Sequence, residues 1–320
     1  MKFSEYVEAF IIERSIDLSP VTIVNYRREL VKAASVLGEK DMNEIGFLDM
    51  KEYFINLQSK ASNSFTNNLL KHGTLVQHYI ILHAFFENAC ENEIITANPM
   101  NKIKRPKQRK DEIIQDPVYY NEAEVKYILK CVSKEPAMWK ALLFFVLDSG
   151  CRCGEAVALK WEEIDFSTGK VKICRNIQYT PQKGVYICSP KNGRNRDIYI
   201  NKRALDILLK WKNVQEADSN TRGINCHGFC FTKRDGSLMM PGCFNAYLGR
   251  FGNKYGIKGI HPHALRHTMA SLSITNGADI VSISKKLGHS KVATTLNVYS
   301  HTTRDAQKHA NEVLAKAIYD

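Results

Sequence analysis

A chain of 320 residues with 44% hydrophobic side chains is long enough to form two domains, each burying a core of its own. It contains no uninterrupted apolar run of the ~18 residues a transmembrane helix requires, and Glu5, Glu8 and Glu13 within MKFSEYVEAFIIERS make the N-terminus a poor signal peptide. The net charge of +12 points to a polyanionic partner rather than to a cationic or strictly apolar one.

In chain order, the first fifteen residues read as an amphipathic helix. Ser19-Pro20 opens a second, with Ser as N-cap and Pro in the first turn, running through VTIVNYRRELVKAASVL. Leu69 to Ala89 repeats apolar residues at helical spacing (Leu75, Tyr79, Leu82, Phe86), and Asn98-Pro99 closes that region. With no period-two stretch, residues 1–105 are expected to form a small helical bundle. Lys102 to Val118 is polar and charged, and Pro106 and Pro117 disfavour helix, so a basic linker is placed at 106–118.

The charge is unevenly distributed. Residues 1–110 hold 15 Lys and Arg against 13 Asp and Glu, and six of those cations form the acid-free run Lys102, Lys104, Arg105, Lys107, Arg109 and Lys110. Residues 111–320 hold 30 against 20. The excess therefore sits in the run and the second part, as for a surface that grips a phosphate backbone; charge alone suits a merely soluble basic surface equally well.

The second domain is placed at 119–320. Asn121 opens a helix with Glu124 three residues on, a capping box. Pro136 to Leu147 is a strongly apolar helix, the expected core. Strand-like runs follow at Val171–Tyr179, Val185–Cys188 and Arg196–Ile200, the last two joined by the hairpin signal Asn192-Gly193. Helices are expected at Lys202–Ala217, Cys243–Tyr255, His263–Thr275, Ile280–Leu287 and in the tail after Thr303. The fold class is thus mainly α with a small antiparallel β-sheet. Nine scattered cysteines without a C-x-x-C pair fit a reducing, cytoplasmic setting. Cys226-His227 and Cys230 lack a second ligand pair at zinc-like spacing, so neither a metal nor another cofactor is expected.

Certain polar residues fall where the pattern demands structure. Arg152 lies between the apolar helix and the mouth of the next, Lys191 on the hairpin turn, and His263 and Arg266 three apart at a helix start. His289 follows Leu287-Gly288, where Gly serves as a helix C-cap, and Tyr299 lies ten residues further, within TTLNVYSH. Singly, each has an ordinary structural explanation: Glu155, one turn after Arg152, pairs with it, and His267 packs or caps. Together they suit phosphoryl transfer. Two arginines supply forked donors for phosphate oxygens, and preorganised donors stabilise the charge that develops on the transferring group. A tyrosine hydroxyl is a nucleophile that would conserve the phosphodiester energy in a covalent intermediate, and a lysine can protonate the departing 5′ oxygen.

The set Gly150-Cys151-Arg152-Cys153-Gly154-Glu155, Lys191, His263-Ala264-Leu265-Arg266-His267, Leu287-Gly288-His289 and Tyr299 resembles the tyrosine site-specific recombinases, or phage-type integrases, in order and long-range spacing. The first hundred residues resemble that family's helical core-binding domain, and the second domain its α+β catalytic domain. The resemblance implies that Arg152, His263, Arg266 and His289 hold the scissile phosphate, that Tyr299 attacks it, that Lys191 is the general acid and that Glu155 orients the site. It implies metal-independent cleavage and rejoining of double-stranded DNA through a 3′-phosphotyrosyl link, with two domains clamping the duplex. It further implies a homo-tetramer on two duplexes, served by accessory DNA-bending or directionality proteins, in the cytoplasm, bacterial or phage-encoded. Met1 leads straight into the core-binding helices, so an arm-binding domain is not expected. Departures are Ala264 where Asp is frequent and the ten-residue gap from His289 to Tyr299 where nine is common. The tail from Thr303 to Asp320 carries an apolar stripe that suits a neighbouring protomer or its own domain. Two other readings use the same residues: a type IB topoisomerase that relaxes DNA alone, and a DNA-binding protein with an unused site.

Overall fold

The computed structural model describes residues 1–59, 69–109, 112, 117–191 and 193–299, without the side chains of Thr294 and residues 297–299. The tail after Thr303 and Asn192 therefore lie outside the described residues. The chain divides into two compact units, Met1–Gln115 and Asp116–Asp320. No helix among the described residues is long and apolar enough to cross a membrane.

The first unit is helical: α1 (Phe3–Arg14), α2 (Pro20–Leu37), α3 (Phe47–Ser59) and α4 (His72–Glu91). Ser19 caps α2 by accepting from the Thr22 amide at 3.3 Å, with Pro20 in the first turn where a missing N–H costs nothing. α4 begins at His72 rather than Leu69, because Lys71 is extended and the Leu70 carbonyl accepts from Arg109 Nη1 at 3.0 Å. α1 turns Phe3, Tyr6, Val7, Phe10 and Ile11 inward. The core is aromatic at its centre, where the Phe85 ring lies 4.8 Å from Phe3 and 5.3 Å from both Phe10 and Phe86.

A buried polar chain ties three of these helices. The Tyr53 hydroxyl is 2.6 Å from His78 Nε2, and His78 Nδ1 is 3.1 Å from Glu29 Oε2. Burial opposes a charge on Glu29, yet hydrogen bonds from His78, Arg28 and Lys32 prevail and bring its pKa down to about 2. The basic run at its end is tied to the same unit: Ile103 is in the core, its carbonyl accepts from Tyr79, and Glu112 Oε1 accepts from the His72 amide at 2.8 Å. Lys102, Lys104, Arg105 and Lys107 remain exposed.

In the second unit, α5 (Glu122–Val132) carries the predicted capping box: Asn121 Oδ1 accepts from the Glu124 amide at 2.9 Å and Glu124 Oε2 from the Asn121 amide at 2.8 Å. α6 (Ala137–Ser149) is the core helix, with Ala141 to Val146 all buried. Gly150 ends it at φ +64°, a left-handed conformation that a side chain would strain. After the short α7 (Cys153–Val157) come β1 (Lys170–Ile173), β2 (Asn176–Thr180), β3 (Gly184–Cys188) and β4 (Arg196–Tyr199). Five helices follow: α8 (Lys202–Arg222), α9 (Pro241–Tyr255), α10 (Pro262–Thr275), α11 (Ile280–Leu287) and α12 (Val292–Tyr299).

The strands depart from expectation. The run Val171–Tyr179 divides, because Cys174 and Arg175 turn aside to hydrogen-bond Glu163. The hairpin is β2–β3, with Asn176 opposite Cys188 and Thr180 opposite Gly184, while β4 pairs with β1. Gly193 therefore stands in no turn between paired strands, since β3 and β4 on either side of it belong to two separate two-stranded sheets. Burial decides the pairing. Val171 of β1 lies opposite Ile198 of β4, both in the core, whereas β3 has no fully buried residue to offer β4. α8 also runs five residues beyond Ala217, aided by the Arg222–Asp218 pair at 2.9 Å, and stops at the left-handed Gly223.

Removing the Phe85 ring leaves a void among four aromatic neighbours, Phe3, Tyr6, Phe10 and Phe86. Phe85→Ala should lower the unfolding free energy by about 3–5 kcal/mol, read from urea unfolding.

Candidate active site

The site is assembled where three helix termini meet: the end of α6, the mouth of α7 and the end of α11. At its base is Glu155, whose side chain is 0% exposed. Its Oε2 accepts from the Arg152 amide (3.0 Å) and Arg196 Nη2 (2.7 Å), and its Oε1 from Arg152 Nη1 and Arg196 Nη1 (both 3.1 Å). Burial would raise the Glu155 pKa, but the Arg196 guanidinium outweighs it, with help from Arg152, and the group stays below its ordinary value. Arg196 also donates through Nε to the Lys286 carbonyl at 2.9 Å, tying β4 to the last turn of α11.

Arg266 is 4% exposed and spends its donors on helix ends: Nη1 on the Gly150 carbonyl (2.6 Å) and Nη2 on the Leu287 carbonyl (2.8 Å). Two helix C-termini thus face one cation, as their dipoles favour. Burial, then the charge of Arg152, brings its pKa down to about 10, which leaves it charged at neutral pH. Arg266 Nη2 also lies 2.9 Å from His289 Nε2, and His289 Nδ1 lies 2.7 Å from Thr295 Oγ1. His289 is carried just past α11 by the left-handed Gly288, as its Leu-Gly-His context predicts. Burial and the charges of Arg266 and Arg152 push its pKa down to about 4.

The sequence-derived residues are largely brought together. Arg152, Glu155, Arg266 and His289 are linked by the bonds above. His263 opens α10 one turn before Arg266; burial first, then the charges of Arg266, His261, Arg152 and Lys191, lower its pKa. Lys191 is exposed in the turn closed by the Gly193 amide on the Pro190 carbonyl at 2.7 Å. His267 is half-buried, and burial with the neighbouring His263 takes it down to about 4. The backbone of Tyr299 ends α12, ten residues from His289, and its side chain lies outside the described residues.

Sequence reading missed Arg196, Thr295, Arg194 and Lys285. Arg152, Arg194, Arg196, Lys285 and His289 all line one cleft of about 550 Å³. Arg196 had a signal: it stands two residues before the buried Ile198 of β4, so a charged side chain occupies an inward strand position. Among the described residues no group of three or more His, Cys, Asp or Glu is placed to hold a metal ion, around Cys226 or elsewhere. The cleft presents fixed cationic donors to an anion.

Residues 119–305 match the phage integrase family. The chain belongs to that family. It is an enzyme that cleaves and rejoins DNA by site-specific recombination. The ICEBs1 integrase of Bacillus subtilis (strain 168) is 25% identical over 313 residues, spanning 96% of this chain and 81% of that protein. The tyrosine recombinase XerC-like protein of Caldanaerobacter subterraneus subsp. tengcongensis is 25% identical over 319 residues, 92% of this chain and 78% of that one. The Tn1549 transposon integrase, solved with transposon right end DNA, shares the fold at a TM-score of 0.79 and 22% identity, covering 98% of this chain and 100% of that one.

Two expectations follow for this recombinase. Arg196→Met would leave the Glu155 carboxylate buried beside Arg152 alone, and should cost about 3–5 kcal/mol in urea unfolding. For pH, His289 and His267 have folded pKa values of about 4 against 6.5 for the free side chain. The unfolded chain therefore binds more protons between those values, so stability is complete above pH 6.5 and declines as pH falls toward 4. Urea titrations across that window should show the decline, and His289→Gln should make it shallower while the His267 contribution remains.

Proposed function

We propose that Tyr299 is the nucleophile and that Arg152, Arg266, His263 and His289 hold the scissile phosphodiester. The new bond joins the tyrosine oxygen to phosphorus, the bond from phosphorus to the 5′ oxygen breaks, and the Lys191 ammonium gives that oxygen its proton. His263, held neutral by burial and by the charges around it, accepts the phenolic proton. Rejoining runs the same steps in reverse with a 5′ hydroxyl from the partner strand. The observation that carries this reading is that Arg152 and His289 line one cleft, with Arg266 bonded to His289 and both arginines anchored before any substrate arrives. Fixed donors need no reorganisation as negative charge develops on the phosphoryl oxygens. The reading takes no step through a metal or cofactor.

The substrate proposed is the attachment DNA of a mobile element. Relatives named ICEBs1 integrase and prophage ps2 probable integrase support this, as does a structural neighbour, the Tn1549 integrase, solved with a circular intermediate DNA. The proposed assembly is a homo-tetramer on two duplexes, working with accessory DNA-bending or directionality proteins in the bacterial cytoplasm. Residues 1–105 and 119–320 act as the DNA-binding and catalytic domains.

A nicked duplex carrying the DNA that flanks the gene is the test. The wild type should form a denaturant-stable adduct on the 3′ side of the break, leaving a free 5′ hydroxyl, and Tyr299→Phe should form none. Arg152→Ala should slow adduct formation about 10²–10³-fold, the range for loss of one preorganised charge-stabilising donor. A persistent adduct in Tyr299→Phe would overturn the assignment.

A further inference from the structure

His289 has both ring nitrogens engaged, and the two partners differ in kind. A guanidinium only donates, so His289 Nε2, 2.9 Å from Arg266 Nη2, accepts. The neutral ring therefore carries its hydrogen on Nδ1, where Thr295 Oγ1 accepts it at 2.7 Å. Thr295 is 0% exposed, so water does not compete for the bond. It also stands on α12, four residues or about one helical turn before Tyr299.

We propose that Thr295 is a positioning residue: by accepting from Nδ1–H of His289 it holds the ring in the orientation that, with the tautomer Arg266 selects, leaves Nε2 as the site that faces the phosphate. This rests on the recombinase reading above. Once a phosphate oxygen takes over the Arg266 donor, Nε2 loses its partner and can reach the anion only by gaining a proton. Nδ1 keeps its hydrogen on Thr295 in either state, so the added proton has one place to go. The charges around the ring set when it arrives. Burial first, then Arg266 on α10 and Arg152 before α7, with His267 on α10 and Arg196 on β4, disfavour an imidazolium in the empty site; α11 carries Lys285 and Lys286 in its last turn, while Glu155 is taken up by Arg152 and Arg196. An incoming phosphodiester offsets that repulsion. The same bond ties the helix bearing the nucleophile to the group that grips the phosphate, so positioning and anion binding are coupled through one hydroxyl.

The test uses the full chain with ring-¹⁵N histidine, the His289 signal being identified by its loss in His289→Gln. At neutral pH the wild type should report the Nδ1–H tautomer. Thr295→Val, which keeps the shape and removes the acceptor, should leave Nδ1–H without its partner and move the Nδ1 signal from its wild-type position, and Thr295→Ser should restore it. On the nicked duplex, Thr295→Val should slow adduct formation about 10- to 100-fold, the range found for partners that orient functional histidines, and shift its pH profile. Thr295→Ser should keep the wild-type profile. An Nε2–H ring in the wild type, or a Thr295→Val protein with the wild-type Nδ1 signal or the wild-type cleavage rate, overturns the proposal. If the wild type forms no adduct while the Nδ1 signal changes as expected, the assignment of the cleavage site fails and the grip of Thr295 on the ring stands.

Discussion

Glu155 is an ionised carboxylate taken wholly out of water, and much of the second unit is arranged so that it can stay there. Desolvating such a group costs several kcal/mol unless geometry and charge compensate. Here Arg196 meets both oxygens as a fork and Arg152 supplies a guanidinium and a backbone amide. Because those partners come from β4 and from the mouth of α7, the carboxylate joins pieces of chain that are 41 residues apart. The Arg196 bond to the Lys286 carbonyl extends the join to α11. Arg152 is thereby held by its own helix cap, and the direction it faces is fixed before substrate binds.

Arg266 solves a related problem differently. A buried guanidinium with no carboxylate of its own leans on carbonyls at the ends of α6 and α11, where the helix dipoles concentrate partial negative charge. Those carbonyls have no intrahelical partners, so one side chain satisfies two helix ends and spends the attraction on holding a cation in place. The outcome is a cleft whose cations outnumber its single buried acid. Burial first and then that imbalance lower the pKa values of Arg266 and His289 in the empty site, and an anion relieves the imbalance. Stability and function pull against each other here, as they do where a site is preorganised for charge it does not yet hold.

Local rules made a good part of this legible. Ser19-Pro20, Asn121 with Glu124, Gly150 and Gly288 each punctuate a helix through chemistry confined to a few neighbouring residues, and each does so in the structure. The spacing of Arg152, Glu155, Arg266 and His289 was recognisable because those residues sit at such punctuation points. Strand pairing was not legible in the same way. The Asn192-Gly193 signal is local, but which strands meet depends on which faces can be buried together, and Ile198 finds its partner in Val171, 27 positions away in the chain. Arg196 escaped notice for the same reason, since its carboxylate is distant in sequence. Thr295 lay six residues from His289 and looked like one of many threonines until the fold brought its hydroxyl to the ring.

By itself the sequence determined the helical character of the first unit, the apolar core helix of the second, the family, and the residue types offered to a phosphate. These follow from periodicity, capping and motif order, all of which act over short stretches or survive as pattern. Only the tertiary structure decided that β4 pairs with β1, that Glu155 is the buried centre of two arginines rather than the partner of one, and that His289 is clasped between Arg266 and Thr295. Those outcomes turn on burial and on donor and acceptor matching between distant segments, and neither has a signature until the chain has folded.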